Sequence, residues 1–303
     1  MKRILICGAN GLLGQRVAMM LSTQNEYEVL NTSVERSFVF DNMLLDYTQL
    51  DITNRGDTKS LVASFQPDII INAAAITDVD WCETNREITW KVNVLAVENL
   101  VEAARKVKAK LIHISSDYIF DGKNGPYDEE AKPNPICYYG KSKLASENVI
   151  KIAEIPYVIL RTNVLYGSGV NVKLNFATWV ISKLEQGNQI SIVDDQYGNP
   201  TYVGDLAMAV IKSFELNREG IFNIGGSEYL SRYDFAIRVA EVFGFNKELI
   251  KRIKTSELNQ KAPRPLKSGL ITLKAETQFG MRFLNATEGL SLLKRELSSC
   301  KLN

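Results

Sequence analysis

The stretch RILICGANGLLGQRV (Arg3–Val17) decides the fold. Its apolar beginning reads as a buried strand, its glycines as a tight turn, and the segment 11–23 as a helix. Gly8, Gly11 and Gly14 form a G-x-x-G-x-x-G pattern directly after that strand. In such a turn the first glycine permits the reversal and the second lets backbone approach a pyrophosphate. The third packs helix on strand, while the helix N-terminus favours phosphate charge. The pattern alone would also serve a plain turn. At the head of alternating strands and helices it points to dinucleotide binding, with Asn10, Leu12 and Leu13 completing the loop.

That alternation continues outward. YEVLN (27–31), DIIINAAA (68–75), AKLIHIS (109–115) and YVILR (157–161) read as strands, and 84–108 and 138–153 as helices. Strands alternating with helices imply a parallel sheet built by right-handed crossovers. After about residue 165 the rhythm loosens, although GDLAMAVIKSFEL and GIFNIGG still look like a helix and a sheet strand. The expectation is an α/β, doubly wound parallel-sheet Rossmann fold with a smaller C-terminal substrate-binding lobe. Residues 1–165 form the dinucleotide domain, with a return of the chain near 203–225, and 166–303 form mainly the lobe.

Composition excludes several classes. The 303 residues carry 36 basic and 35 acidic side chains, a formal charge of +1, so neither nucleic acid nor a charged membrane surface is an expected partner. The N-terminal apolar run is too short for a signal peptide, and no run approaches a membrane span. Cys7, Cys82, Cys137 and Cys300 lie far apart, without zinc-ligand spacing, and His113 is the single histidine. A cytoplasmic protein with reduced thiols and no metal is expected.

Cofactor choice is read where the second strand ends. An acid there binds the adenosine ribose of NAD, whereas Arg or Ser suits the extra phosphate of NADP. Asn31, Thr32 and Ser33 leave the strand, followed by Glu35 and Arg36. Ser33 and Arg36 favour NADP(H); Glu35 keeps NAD(H) open. All five also fit an ordinary solvated loop.

A second stretch, HISSDYIFDGKNGPYDEEAKPNPICYYGKSK (His113–Lys143), begins as a strand and ends as a helix. Ser115 and Ser116 fall at the strand end, where ligands bind in parallel α/β proteins. Tyr139 and Lys143 lie four apart, on one helix face, so the ammonium is expected to lower the phenol pKa and ready it for proton transfer. A strand-end serine then stabilises charge on the same substrate oxygen. Tyrosine–lysine pairs at this spacing are common on plain surface helices; the glycine loop and the serine give this one its meaning. His113, inside the strand, is expected to be a packing residue.

These residues resemble the extended short-chain dehydrogenase/reductases, and more closely their dTDP-4-dehydrorhamnose reductase branch. The resemblance runs from residue 3 to about 270 through GANGLLG, LDIT (50–53), INAAAITDVDWCE (71–83), KVN (91–93), HISSDYIFDG, YYGKSKLASE, RTNVLYG (161–167), DDQYGNPT (194–201) and RPLKS (264–268). It implies that Ser116, Tyr139 and Lys143 carry catalysis, with Tyr139 protonating the alkoxide and Ser116 polarising the carbonyl. It further implies cofactor contacts from Asp51, Ile52, Ala73, Ala74, Ala75, Asn93, Tyr139 and Lys143. Substrate contacts are implied for Ser116, Asp117, Tyr118 and Tyr139, although Asp117 also suits a turn cap. Arg264 either pairs with the substrate diphosphate or lies in a plain proline-rich connector.

The implied reaction is reduction of the 4-keto group of a nucleotide-linked deoxysugar, dTDP-4-dehydrorhamnose to dTDP-L-rhamnose. Related dehydratases carry Thr-Asp-Glu at the strand end; Ser116-Asp117-Tyr118 lacks the glutamate needed for elimination. Two departures stand out. Val164 replaces the tryptophan usual in the branch, and Arg16 stands where some members carry a glutamate for a magnesium-linked dimer. No magnesium is expected, and a homodimer stays open. The alternatives are an epimerase that keeps its cofactor, or a non-catalytic NADP-binding regulatory subunit.

Overall fold

The computed structural model describes residues 1–40 and 45–300, and the side chains of that range up to 299. β1 (Lys2–Cys7) is followed by helix α1 (Leu12–Ser22), β2 (Tyr27–Ser33), β3 (Tyr47–Gln49), α2 (Arg55–Phe65) and β4 (Ile69–Asn72). Then come α3 (Val79–Thr84), α4 (Arg86–Trp90), α5 (Ala96–Val107), β5 (Lys110–Ser116), α6 (Tyr138–Lys151) and β6 (Tyr157–Thr162). These strands and the later Gly220–Ile224 strand make a 7-stranded parallel sheet, ordered Gly220–Ile224, β6, β5, β4, β1, β2, β3.

The two-residue period of a strand explains the two helical layers. Ile4, Ile6, Ile69, Ile71 and Ile112 point into one core, while Leu5, Cys7, Ile70 and Leu111 point into the other. The first core receives α1 together with α8 (Val203–Glu215); the second receives α2, α5 and α6. Fully burying one such side chain stabilises by about 1.5–3 kcal/mol, so both faces must be covered.

The remaining helices are α7 (Phe176–Glu185), α9 (Arg232–Phe243), α10 (Leu273–Phe279) and α11 (Ala286–Cys300). Helices α7, α9 and α11 join the first core through Val180, Phe235 and Leu290. Arg16 of α1 and Glu296 of α11 are paired at 2.6 Å, and Ser168 donates to the same carboxylate at 2.5 Å. Arg16 therefore ties the C-terminal helix to the helix after the glycine loop. No helix among the described residues is long and apolar enough to cross a membrane.

The expected single helix over 84–108 is corrected. The chain breaks at Asn85 (φ −125°), runs through α4, and makes a π-helical turn at Lys91–Leu95 before α5. A π turn admits an extra residue and re-aims its side chains. Here it carries Asn93 inward, where it is buried. Helix α2, absent from the sequence reading, starts on an Asn54 cap that accepts from Gly56 N and Asp57 N.

Candidate active site

The turn after β1, the loop after β4 and the end of β5 open onto one cavity of about 550 Å³ at the carboxyl edge of the sheet. Gly11, Leu12 and Leu13 line its first part, and Ala73, Ala74 and Ala75 lie alongside. Gly8 takes φ +81°, and a Cβ there would meet Ala74 N at 2.7 Å. At Gly14 a Cβ would meet Gly8 O at 2.2 Å, so only glycine lets α1 approach the strand. Gly11 caps α1 with no side-chain hydrogen bond, leaving first-turn N–H groups available to an anion. This cradle fits the phosphates of a dinucleotide.

Asn10 serves the neighbouring loop: its amide donates to Glu35 at 3.2 Å and to Ser37 O at 3.0 Å. Ser33 donates its hydroxyl to the same Glu35 carboxylate, and that bond leads in holding the group below its usual range. Arg36 beside it is exposed. Ile52 is buried, while exposed Asp51 accepts from Thr53 N at 2.9 Å, both beyond the edge strand β3. Asn93 bridges the post-β4 loop and α6, donating to Ile76 O and to Ser142 Oγ, each at 3.0 Å, and accepting from Ile76 N at 2.9 Å. It thus fixes the post-β4 loop against the helix bearing Tyr139.

Ser116, Tyr139 and Lys143 line the same cavity. Ser116 Oγ accepts from Tyr118 N at 3.2 Å and donates to Asp117 Oδ1 at 3.1 Å. The turn after β5 is therefore capped by Ser116, not by Asp117. Helix α6 is started by two side chains: Cys137 Sγ accepts from Gly140 N, and Glu83 accepts from Tyr138 N at 2.9 Å. The ring of Tyr139 meets Tyr118 edge-on at 5.7 Å.

The expected lowering of the Tyr139 pKa by Lys143 is corrected. Burial raises the phenol above its ordinary value, and the neighbouring Ser116 hydroxyl offsets only part of that. Burial also pushes Lys143 down to about 8, against the pull of Glu147. Desolvation is the leading cause for both groups. A phenol held protonated can serve as a proton donor in the neutral range.

His113 lies beneath Lys143, with Nε2 3.3 Å from the ammonium and 3.0 Å from Ser146 Oγ; Asn72 Nδ2 stands 3.1 Å from Nδ1. Lower in the same layer, Arg161 makes a bidentate pair with Glu147 at 2.9 and 2.8 Å, and Ser115 donates to Glu147 at 2.7 Å. Arg161 and Glu147 are essentially inaccessible to solvent. They bind α6 to β6 and β5, the strand that presents Ser116.

Asp117 is buried, lines the cavity and accepts from Ser268 Oγ at 2.5 Å. The RPLKS segment thus reaches the site through Ser268. Arg264 instead pairs with Asp80 at 2.9 Å and donates to Ala262 O at 2.8 Å, and it is not among the cavity's lining residues. Val164 lines the cavity at φ +44°, a strained setting for a β-branched residue. Phe176 and Arg232, from α7 and α9, also line it. Sequence reasoning missed both, since each sits at the start of a segment legible only as a helix.

The family model described as RmlD substrate binding domain matches residues 1–298. A dTDP-4-dehydrorhamnose reductase of Aggregatibacter actinomycetemcomitans is 36% identical, over 93% of this chain and 95% of its own. The crystal structure of dTDP-4-dehydrorhamnose reductase from Bacillus anthracis in complex with NADP superposes with a TM-score of 0.87 at 32% identity, covering 98% of this chain and 100% of that one. Methionine adenosyltransferase 2 subunit beta of Xenopus tropicalis is 32% identical over 87% of this chain and 78% of its own. With the glycine cradle, the Ser116–Tyr139–Lys143 edge and a match over nearly the whole length, the chain belongs to the RmlD substrate-binding domain family.

Proposed function

We propose that this protein reduces the 4-keto group of a nucleotide-linked deoxysugar, dTDP-4-dehydrorhamnose to dTDP-L-rhamnose, using NADPH in preference to NADH. The observation that carries the reading is the meeting of Ser116, Tyr139 and Lys143 in the cavity that also holds the glycine cradle. Likeness to reductases along the whole chain, one of them solved with NADP, supports the substrate and the cofactor.

A nicotinamide cofactor seated on Gly11–Leu13 and Ala73–Ala75 supplies the hydride when bound. The chain's own residues manage the oxygen. Ser116 donates a hydrogen bond to the carbonyl oxygen and stabilises the charge that develops there. Tyr139 transfers its phenolic proton to that oxygen as the C4–H bond forms, and the phenolate left behind is held by the Lys143 ammonium. Asp117 and Tyr118 contact the sugar from the turn after β5. Solvent returns the proton to Tyr139. The near-neutral charge and the small-molecule site are in keeping with a cytoplasmic enzyme that needs neither nucleic acid nor membrane.

A second reading, an NADP-binding regulatory subunit, has one observation in its favour: the similarity to methionine adenosyltransferase 2 subunit beta. One assay separates the readings. NADPH absorbance is followed with dTDP-, UDP- and GDP-linked 4-keto-6-deoxysugars. Stoichiometric oxidation with the dTDP sugar supports the reductase. Tight NADPH binding with no oxidation by any sugar would transfer the assignment to the regulatory subunit, and sugar interconversion without net oxidation would transfer it to an epimerase.

A further inference from the structure

We propose that Arg232 is the residue that grips the diphosphate of the nucleotide-linked substrate, an inference that rests on the reading above. Arg232 is the first residue of α9 and lines the same cavity as Ser116 and Tyr139. Its guanidinium carbon sits 5.0 Å from the centroid of the Phe176 ring. Phe176 in turn stacks on Phe235 at 5.8 Å with planes 21° apart, and Phe235 packs on Tyr166 at 5.2 Å. Phe235 and Tyr166 are buried in the main core, so the platform under the cation is rigid.

Of the other cations around this cleft, Lys143 lies 3.3 Å from His113 at the Ser116–Tyr139 edge, and three more are ion-paired. Lys173 pairs with Asp78 at 2.6 Å, Arg264 with Asp80 at 2.9 Å, and Arg161 with Glu147 at 2.8 Å. Among the described residues no carboxylate stands at ion-pair distance from Arg232. Asp117 feels its charge, but the Asp117 oxygens are taken by Ser116 and Ser268. A guanidinium stays charged at every working pH, so this arginine offers the cavity a permanent positive charge.

A guanidinium held over an aromatic ring still offers N–H donors, which can bind phosphate oxygens in bidentate fashion. In a 4-keto sugar nucleotide the diphosphate is the only charged group. It lies to one side of the reacting carbonyl, which Ser116 and Tyr139 must hold. The cofactor's own phosphates have a separate seat at the first turn of α1, lined by Gly11, Leu12 and Leu13. Arg232 therefore serves substrate and not cofactor, and its aromatic platform spares the ordering cost of a free side chain.

The test is binding to the full-length protein saturated with NADP, measured for dTDP, UDP, GDP and their nucleosides by calorimetry and by ligand-observed NMR, which detects weak binders. Wild type is compared with Arg232→Gln and Arg232→Lys. The expected result is a loss of about tenfold or more in affinity for the preferred diphosphate in Arg232→Gln, the scale of a charged hydrogen-bonded pair. Arg232→Lys should recover part of it, and nucleoside and NADPH binding should hold within about twofold. Unchanged diphosphate affinity, or an equal loss for the nucleoside, would overturn the assignment. Preference of the wild type for UDP or GDP would overturn the dTDP reading alone, and the Arg232 comparison would then be made on that nucleotide. Binding of no nucleoside diphosphate would overturn both.

Discussion

Lys143 Nζ lies 3.3 Å from His113 Nε2, and both side chains are buried. Burial is the main force on each: it drives Lys143 down to about 8 and His113 well below its ordinary range, the nearby ammonium adding to the latter. His113 is therefore neutral under working conditions and lends Lys143 a polar neighbour without a competing charge. In the proposed mechanism the ammonium holds the Tyr139 phenolate. The kcat/KM for reduction, which reports the free enzyme, should be flat through neutral pH and fall above about pH 8 as Lys143 loses its proton. Lys143→Met should lower the rate and remove that limb; a profile still breaking there would assign the ionisation to another group.

The same shift has a stability consequence. Lys143 binds its proton less tightly folded than unfolded, so the unfolded chain holds more protons between about 8 and the ordinary lysine value. Its contribution to stability should rise with pH across that window and be lost as pH falls through the folded value. Denaturant midpoints of wild type and Lys143→Met, compared from pH 7 to 10, should converge as pH rises. Parallel curves would contradict the buried, depressed lysine.

Tyr139→Phe removes the proton donor and leaves the ring that packs against Tyr118. Reduction should fall by about 100-fold or more, the usual scale for one acid–base group, while NADPH affinity changes by less than about twofold. Retained turnover would remove Tyr139 from the proton-transfer role.

Most of the parallel sheet was legible in the sequence, because long apolar strands and a glycine turn leave few alternatives. The site was legible in part. Ser116, Tyr139 and Lys143 stand on regular elements at spacings with a direct geometric meaning. Arg232 reaches the cleft through a chain crossing that no local pattern encodes, and within RPLKS it is Ser268, not Arg264, that touches a cavity residue. The pKa of Tyr139 was misjudged for a related reason: i,i+4 spacing gives proximity, whereas desolvation depends on everything packed around the pair. The π turn at Lys91–Leu95 was hidden inside a helical period.

At the end of β2, Ser33 and Asn10 both donate to the Glu35 carboxylate while Arg36 is exposed. If Arg36 reads the extra phosphate of NADP, Arg36→Ala should weaken NADPH about tenfold and NADH little, on the scale of one charged hydrogen-bonded contact. Glu35→Gln should weaken NADH more than NADPH. Fluorescence titration of both cofactors checks each variant, and equal losses would remove Arg36 from cofactor choice.

The Arg161–Glu147 pair is fully enclosed and bidentate. Burial alone would raise the Glu147 pKa, yet Arg161 and Ser115 hold it below the usual range. Glu147→Ala leaves a buried guanidinium unpaired and should cost about 3–5 kcal/mol in denaturant unfolding. The double variant Glu147→Leu with Arg161→Met should recover most of that loss. If the single variant proves neutral, the pair does not hold α6 against the sheet.

The most direct measurement uses NADPH carrying deuterium at the transferable position, with dTDP-4-dehydrorhamnose as substrate. One deuterium should appear at C4 of the sugar for each NADPH oxidised, and Tyr139→Phe should abolish the transfer while still binding the cofactor. Deuterium retained on the cofactor, with the sugar either unchanged or interconverted, would falsify the reductase assignment.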